Sequence, residues 1–318
     1  MTRQHAGDGV TRQHAGDGAA RQRIEVVRAG ALTTVQDLGR PGWAHLGVPR
    51  SGALDAPALR LANRLVGNPE TEAGLEMTIT GCRLRLRHPG TIAVTGAAAR
   101  LRVDGAPAEL GAPIAVTAGA LVEIGPARRG VRSYLAIAGG IAVPPVLGSR
   151  STDTLSGLGP APLRDGDELP VGPPGDAPPA EAPQREAPQQ EQAAHPQPPP
   201  SGDTPELLLS VRLGPRDDWF TPAAIEALLS TAYTVSPMSN RVGARLAGAA
   251  LPRARAGELP SEGVVLGAVQ VPADGQPLIF LADHPTTGGY PVIAVVDDVA
   301  PLAQARPGTT LRFRGPQR

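Results

Sequence analysis

Residues Glu262–Val296 read EGVVLGAVQVPADGQPLIFLADHPTTGGYPVIAVV and decide the fold of the second half of the chain. Three apolar runs, Val264–Val271, Pro277–Ala282 and Val292–Val296, have the length and composition of short strands. The first two are joined by Pro272–Gly275, four residues that fit the backbone angles of a tight turn. The stretch therefore predicts a hairpin followed by a third strand.

The segment between the second and third runs is polar. Residues Asp283–Pro291 carry a carboxylate, an imidazole, two hydroxyls, two glycines and a phenol. The core of a strand does not need this set of groups, whereas a binding or catalytic loop held by a rigid sheet does. The sequence therefore predicts a functional loop at this position.

Composition excludes several classes of function. The chain has 318 residues, enough for two domains, and 30 acidic residues balance 30 basic ones, so no net charge attracts nucleic acid or anionic lipid. Every basic residue is Arg, which rules out a Schiff base, a P-loop lysine and a biotinylated lysine in this chain. With neither a membrane-spanning stretch nor a signal-peptide pattern in the sequence, we expect a cytoplasmic protein.

Metal and nucleophile chemistry receive little support. Cys82 is the only cysteine and lies in an alternating run, which is typical of a strand thiol rather than a nucleophile. His45, His88 and His284 are isolated in sequence, so no metal site is predicted. A GxSxG motif is also absent, which argues against a serine triad.

Composition also divides the chain into four segments. Residues 1–23 repeat the string TRQHAGDG and predict a disordered tail. Residues 24–172 contain many short alternating runs separated by Gly and Pro, which is typical of a β-barrel or sandwich. Residues 173–205 hold 11 of the 36 prolines and predict a linker or insertion. Residues 206–318 predict a second domain that also consists largely of strands.

Two short helices interrupt the strands. The first helix is predicted to begin after Asp55, whose side chain suits the N-cap position. The second is predicted to begin at Thr221, with Pro222 in its first turn. In the first helix Asn63 and Arg64 are predicted to lie off the apolar face, which comprises Ala58, Leu61, Ala62 and Leu65. The Gly-rich segment before Asp55, residues 33–54, is predicted to be a shaped loop without regular structure.

Four carboxylates in or near Gly-rich loops are candidates for a general base: Asp37, Glu76, Glu262 and Asp283. For any one of them alone, pairing with an Arg is the better explanation. As a group near one cleft, they favour function. Arg241 follows Ser239 and Asn240 and fits bidentate binding of a carboxylate or phosphate. The candidates for substrate binding are Arg40, Arg50, Ser51, Ser239, Asn240, Arg241, Gln270, Thr286, Thr287, Gly288 and Tyr290.

A series of ordered motifs resembles the biotin-dependent carboxyltransferase family. This family includes the allophanate hydrolase subunit 2 proteins, which are also known as the C subunit of 5-oxoprolinase, and the KipA-like regulators. The resemblance covers residues 24–172 and 206–315. Its motifs are VQDLGRPG (35–42), PRSGALD (49–55), NRLVGN (63–68), AGLE (73–76), SNRVG (239–243), SEG (261–263), QVP (270–272), DGQP (274–277) and DHPTTGGYP (283–291).

The resemblance implies a mainly β fold with a few short helices, built from two cyclophilin-like β-barrel domains. It implies ATP-dependent opening of 5-oxoproline to glutamate, with ATP and Mg²⁺ used in an assembled complex and no biotin attached to this chain. The implied partners are the B component of 5-oxoprolinase, of the KipI-like type, and its A component, of the LamB/YcsF-like type.

Two other functions stay open at this point. One is transfer of a carboxyl group from biotin, carried by a separate protein, to a urea-like amide. The other is a non-catalytic, KipA-like role in which the chain binds a KipI-like protein.

Overall fold

The computed structural model describes residues 22–175, 206–257 and 259–315. The predicted tail, apart from its last two residues, and the predicted proline-rich segment from residue 176 onward lie outside the described residues. Within the described ranges the chain forms twenty strands, two α-helices and three short 3-10 turns. The predicted fold class, mainly β with a few short helices, is confirmed.

Two sheets form the N-terminal half, residues 22–175. Their orders are β11-β1-β4-β9-β6-β7 and β2-β3-β10-β5-β8. The strands are β1 (Arg23–Arg28), β2 (Thr33–Gln36), β3 (Gly74–Thr78), β4 (Cys82–Leu86), β5 (Gly90–Ala98), β6 (Leu101–Val103), β7 (Ala106–Ala108), β8 (Ile114–Val116), β9 (Leu121–Ile124), β10 (Arg129–Ile137) and β11 (Glu168–Pro170).

Alternation along these strands places apolar side chains in one shared core. In β4, Cys82, Leu84 and Leu86 are buried, while Arg83 and Arg85 point away from the core. Burial raises the pKa of the Cys82 thiol to about 12, so Cys82 is an unreactive core residue, in line with the strand thiol predicted from sequence.

A closed barrel forms most of the C-terminal half, residues 206–315. Seven strands close in the order β12-β19-β16-β17-β14-β13-β20, and β15 pairs with β18 in a separate ladder. The strands are β12 (Leu207–Leu213), β13 (Ala232–Val235), β14 (Gly243–Ala247), β15 (Glu262–Gly263), β16 (Ala268–Gln270), β17 (Leu278–Phe280), β18 (Thr287–Gly288), β19 (Val292–Val296) and β20 (Thr310–Arg314).

The hairpin predicted from the opening stretch is confirmed. β16 pairs with β17 through Val269 and Ile279, and the third run, β19, pairs with the other side of β16. β16 and β17 are shorter than the apolar runs that predicted them, whereas β19 has the predicted bounds. Closure of the barrel gives each of these strands a neighbour on both sides. The loop after β17 therefore begins at a rigidly held strand.

Helix α1 (Ala56–Leu65) begins where the sequence predicts. The Asp55 carboxylate accepts a hydrogen bond from the backbone N–H of Ala58 at 3.1 Å. The prediction that Asn63 lies off the core face is wrong. Asn63 is fully buried because its amide group donates to the backbone carbonyl of Glu72 at 2.8 Å. Helix α2 (Pro222–Ser230) begins at Thr221 as predicted.

The prediction of an irregular loop over residues 33–54 is wrong at its start. Thr33–Gln36 form β2, which pairs with β3 so that Thr34 lies opposite Glu76. All four side chains of β2 are buried. Three of the four are polar, which hides the strand in the sequence. They bond inside the protein: the Thr33 hydroxyl donates to the Ala29 carbonyl at 2.6 Å, and the Gln36 amide donates to the Thr152 carbonyl at 3.0 Å.

The two halves are joined by hydrogen bonds from a 3-10 turn, Ala300–Gln304, to β10 and α1. The Gln304 side chain accepts from the backbone N–H groups of Val131 and Arg132 and donates to the Asp55 carboxylate at 2.8 Å. Arg132 in turn donates to the carbonyl of Ala303 at 2.7 Å. No α-helix within the described ranges has the length and apolarity to span a membrane.

Asp55 thus has two roles, as the N-cap of α1 and as an acceptor from the other half of the chain. We expect Asp55→Ala to lower the free energy of unfolding by about 2–3 kcal/mol, because it removes both the cap and the bond to Gln304. Thr221→Ala, which removes a cap bond alone, is the matched control and should cost about 1 kcal/mol. Urea denaturation measures both. Equal losses in the two variants would contradict the linking role of Asp55.

Candidate functional site

The guanidinium group of Arg241 lies at the centre of the contact between the two halves. It donates to both oxygens of Asp283, with Nε–Oδ2 and Nη2–Oδ1 distances of 2.9 Å. Nη2 also donates to the carbonyl of Gly52 at 2.7 Å, and Nη1 donates to Glu76. Because Glu76 and Gly52 belong to the N-terminal half, one planar cation bonds both halves at once.

Glu76 enters this contact from β3. Its Oε2 atom accepts from the backbone N–H of Leu54 at 3.0 Å and from the Tyr134 hydroxyl at 2.8 Å. The Arg132 guanidinium lies 3.4 Å from Oε1. Tyr134 also accepts from the backbone N–H of Asp55, so the carboxylate is tied to the start of α1.

Asp283 enters from the loop that follows β17. Besides Arg241, it accepts from the Ser51 hydroxyl at 2.7 Å and from the backbone N–H and hydroxyl of Thr154 at 3.0 and 2.6 Å. Ser51 has a left-handed φ of 54°, a conformation that L-residues rarely adopt. The bond to Asp283 and a backbone bond to Ala282 hold Ser51 there. Arg241, Glu76, Asp283, Ser51 and Thr154 are called the junction cluster below.

The charged side chains of the junction cluster stabilise one another in their ionised forms. Burial alone would raise the pKa of Glu76, but the charges of Arg241 and Arg132 and two hydrogen bonds hold it below its usual value. The pKa of Asp283 is likewise lowered, because the charge and bonds of Arg241 and the bonds from Thr154 outweigh burial. Both carboxylates are therefore ionised and fully occupied at neutral pH, which leaves neither free to accept a proton.

A second buried cluster surrounds Asp37. Its carboxylate accepts from the hydroxyls of Ser149 and Ser151 at 2.6 and 2.5 Å and from the backbone N–H of Arg150 at 2.6 Å. Arg40 is also buried and donates to the carbonyls of Ser151 and Val146. Burial lowers the pKa of Arg40, against the charges of Asp153, Asp37 and Asp283. These contacts shape the loop of residues 37–50, and neither Asp37 nor Arg40 lines the cavity described next.

A cavity of about 160 Å³ lies beside the junction cluster, with walls from both halves. The N-terminal half contributes Arg50, Ser51 and the first turn of α1, together with Arg60. The C-terminal half contributes His284 and Asp298. Arg50 is exposed, so its guanidinium is available at the cavity. Apolar side chains complete the wall: Leu38, Leu54, Leu266 and Val299.

His284 lines this cavity but was not among the candidates from sequence. Its imidazole belongs to the polar loop that the sequence singled out, and its position next to Asp283 was the available signal. Thr154 was missed as well; it follows the polar run Ser149–Asp153, which gave no indication of a partner 129 residues away in sequence.

The other candidates lie in two separate groups. Asn240 accepts from the backbone N–H groups of Val242 and Gly243, and Ser239 bonds Arg245, so these two shape the turn that presents Arg241. The second group surrounds the ladder of β15 and β18, where Glu262 lies opposite Gly288. There Gln270 donates to the carbonyl of Tyr290, and the remaining members are Thr286 and Thr287.

Glu262 has a partner of its own outside the junction cluster. Arg216 donates to both of its oxygens, and this hydrogen bonding lowers the pKa of Glu262. Both side chains are about one-third exposed, so the pair is a surface interaction. Among the residues that the structure describes, no group of three or more His, Cys, Asp or Glu side chains could hold a metal ion.

We expect substitution of Arg241 and of Arg216 to have very different effects on the free energy of unfolding. Arg241→Met leaves two buried carboxylates without their cation, and we expect a loss of about 3–5 kcal/mol in the free energy of unfolding. Arg216→Met, at the exposed pair with Glu262, is the control and should leave the free energy of unfolding nearly unchanged. Urea denaturation at pH 7 distinguishes the two. Similar losses would show that Arg241 does not hold the halves together.

The dependence of stability on pH gives a second test with the Arg241→Met variant. In the wild type the lowered pKa values of Glu76 and Asp283 add stability above their ordinary values of 4.5 and 3.8, which is lost as pH falls further. Without Arg241, burial is opposed only by Arg132 at Glu76 and by the remaining hydrogen bonds, so both pKa values should rise relative to the wild type. The variant should therefore gain less stability than the wild type as pH rises from about 4 to 7. The same dependence of stability on pH in both proteins would contradict the role of Arg241.

The sequence matches known proteins over most of its length. The family described as carboxyltransferase domain, subdomain A and B, matches residues 46–315. The chain is 38% identical over 299 residues to the C subunit of 5-oxoprolinase from Escherichia coli K12, covering 91% of this chain and 90% of that protein. It is 35% identical over 307 residues to urea amidolyase of Saccharomyces cerevisiae, covering 91% of this chain and 16% of that protein.

Solved structures agree with the sequence comparison. The crystal structure of Kluyveromyces lactis urea carboxylase matches with a TM-score of 0.81 at 32% identity, covering 92% of this chain and 27% of that chain. The chain thus spans most of the bacterial relative but only a fraction of the yeast proteins. The resemblance stated from the motifs is confirmed: the chain belongs to the carboxyltransferase family that comprises subdomains A and B.

Proposed function

We propose that the chain is the C subunit of an ATP-dependent 5-oxoprolinase, which opens the lactam ring of 5-oxoproline to give glutamate. The share of each relative that the chain covers favours this function over the alternatives. The chain covers 90% of the C subunit of Escherichia coli 5-oxoprolinase, and it matches urea amidolyase only as a minor part of a much longer protein. The bacterial relative's name describes a subunit of 5-oxoprolinase.

The cavity beside the junction cluster supports a small substrate. Its volume of about 160 Å³ is below the range of roughly 300–1,000 Å³ typical of sites for drug-sized ligands. Arg50 and Arg60 supply two positive charges at the cavity, against one negative charge from Asp298. A carboxylate pairs well with a planar guanidinium, and 5-oxoproline carries one carboxylate whereas urea carries none. The charge of the cavity therefore favours the lactam acid over a neutral amide.

The junction cluster supports a positioning role for Glu76 and Asp283. Both carboxylates are saturated by donors, so we propose that they fix the cavity wall instead of exchanging protons with the substrate. Asp283 holds Ser51 from the opposite half, and Ser51 lines the cavity. A rigid wall of this kind keeps the groups that face a substrate in one geometry.

The cavity has a volume of only about 160 Å³, and the chain has no lysine to hold the phosphates of ATP. When bound, ATP supplies the electrophile for the lactam oxygen. We propose that its site, with Mg²⁺, is formed in the assembled complex by the KipI-like B component and the LamB/YcsF-like A component. A cytoplasmic location fits the use of ATP.

Carboxyl transfer is the second candidate, favoured by the structural match to urea carboxylase at a TM-score of 0.81. Because the chain contains no lysine, the biotin would have to be attached to another protein. In a third alternative, the KipA-like one, the chain binds a KipI-like protein without catalysis. Substitutions in the cavity would then leave its effect unchanged.

Reconstitution tests the proposed function. The purified chain is combined with the KipI-like and LamB/YcsF-like components from the same organism, and glutamate and phosphate are measured with 5-oxoproline and ATP. We expect turnover with all three proteins and none with the chain alone. Lack of turnover in the full mixture, under conditions where the Escherichia coli complex is active, would refute the proposal. Carboxylation of urea by the chain with a biotinylated carrier would support the second candidate instead.

Arg50 gives a test of substrate recognition in the same assay. We expect Arg50→Ala to raise the KM for 5-oxoproline by about 10- to 100-fold, because a charge-assisted hydrogen bond to the carboxylate contributes about 1.5–3 kcal/mol. Arg102→Ala removes an exposed Arg from a sheet of the N-terminal half and should leave KM unchanged. An unchanged KM in both variants would remove Arg50 from the site.

A further inference from the structure

We propose that His284 is the general base of the cavity: its Nε2 atom accepts the proton of the substrate amide N–H and returns it to the nitrogen when the ring opens. This inference rests on the proposed function and assigns a residue role within that site. No carboxylate of the junction cluster is free for this step, since each is saturated by donors. The tautomer, the surroundings and the position of His284 all suit a general base.

The tautomer of His284 is fixed by its own backbone. Nδ1 lies 2.6 Å from the carbonyl oxygen of Pro285. A carbonyl oxygen only accepts hydrogen bonds, so Nδ1 carries the proton. Nε2 then bears the lone pair. Within the described residues Nε2 has no hydrogen-bond partner, whereas Nδ1 has one. Since the ring lines the cavity, this lone pair is available to a molecule bound there.

The surroundings keep the imidazole neutral and hold the ring in place. Burial lowers the pKa of His284 below its usual value of 6.5, although the bond to Pro285 and the charges of Asp283 and Asp153 act in the opposite direction. The other charged groups at the cavity are Arg50, Arg60 and Asp298. The ring stacks on Phe280, with centroids 5.7 Å apart and planes at 29°.

Asp298 is the other candidate base at the cavity, and its environment differs. It is exposed to solvent, and its Oδ1 atom accepts from the backbone N–H of Ala300 at 2.9 Å in a local turn. His284 is 7% exposed and has no competing contact at Nε2 within the described residues. A general base works best when it is neutral and positioned at the operating pH, a condition that His284 meets.

The proposed step is a reversible proton transfer. As the lactam oxygen is activated, the N–H bond breaks, its electron pair forms a carbon–nitrogen double bond, and the proton moves to Nε2, giving an imidazolium ion. A water molecule then bonds to the ring carbon, the electron pair of the double bond returns to nitrogen, and the imidazolium gives the proton back to that nitrogen. Nε2 next takes one proton of the added water and passes it to the nitrogen when the ring carbon–nitrogen bond breaks with its electron pair on nitrogen. The nitrogen leaves as the amine, the second proton of the water goes to solvent, and His284 is neutral again.

Histidine NMR tests the tautomer and the contact without any need for activity. The full-length chain is labelled with ¹⁵N and observed by long-range ¹H–¹⁵N correlation, and loss of one set of signals in His284→Asn assigns the residue. We expect the Nδ1–H tautomer, a titration midpoint below 6.5, and a shift of the Nε2 signal on addition of 5-oxoproline. The Nε2–H tautomer, or an Nε2 signal unaffected by saturating 5-oxoproline, would overturn the proposal.

Kinetics of the reconstituted complex test the proton transfer. His284→Asn retains an amide donor for the Pro285 carbonyl but lacks a base, and we expect kcat to fall by about 100-fold or more, with a small change in KM. The acidic limb of the pH–rate profile should disappear, and added imidazole should restore part of the rate. A merely structural role predicts neither of these last two results.

The matched control is His88→Asn. His88 also has Nδ1 near the carbonyl of a following proline, at 2.9 Å from Pro89, but it lies outside the cavity. Its variant should behave as wild type. A kcat for His284→Asn within about threefold of wild type, or an unchanged acidic limb, would refute the role of His284. Absence of turnover in the wild-type complex would refute the proposed function instead, and the NMR result alone would then decide for or against His284.

Discussion

One buried cation lies at the centre of the contact between the two halves. The guanidinium of Arg241 bonds Asp283 through two nitrogens and reaches Glu76 and the Gly52 carbonyl in the other half. The three charged side chains are at most 2% exposed. Charges that are so fully removed from water are tolerated only when every one is paired and hydrogen-bonded. The geometry of the halves is therefore restricted to the arrangement that completes these bonds.

This restriction determines what the carboxylates can do. In the sequence, Glu76 and Asp283 are plausible general bases, as are many acidic residues in Gly-rich loops. In the structure, donors from Leu54, Tyr134 and Thr154 fill the positions that a substrate proton would need. What was predicted as a set of catalytic groups is better explained as the framework of a cavity. A catalytic role for them stays a prediction, and their structural role follows directly from the bonds.

Local signals in the sequence were sufficient for the elements but not for the site. The cap at Asp55, the turn at Pro272–Gly275 and the three apolar runs predicted α1 and the hairpin because capping and turn chemistry act within a few residues. Strand β2 was missed because polar side chains are buried there by distant partners. The pairing of Thr154 with Asp283 spans 129 residues, and no local pattern carries that information. The family motifs contain Glu76, Arg241 and Asp283, without indicating that these residues bond to one another.

Two adjacent residues of one loop, Asp283 and His284, differ in charge because burial and nearby charges act on them differently. Burial disfavours the charged form of any side chain, so it acts to neutralise both Asp283 and His284. Arg241 overrides this effect at Asp283, whose pKa is lowered and whose carboxylate stays ionised. At His284 the nearby carboxylates do not override it, and the imidazole stays neutral. The same loop therefore supplies a fixed anion to the junction and an uncharged base to the cavity. If Arg241 were absent, Asp283 would favour its protonated form, and the wall that carries His284 would lose its anchor.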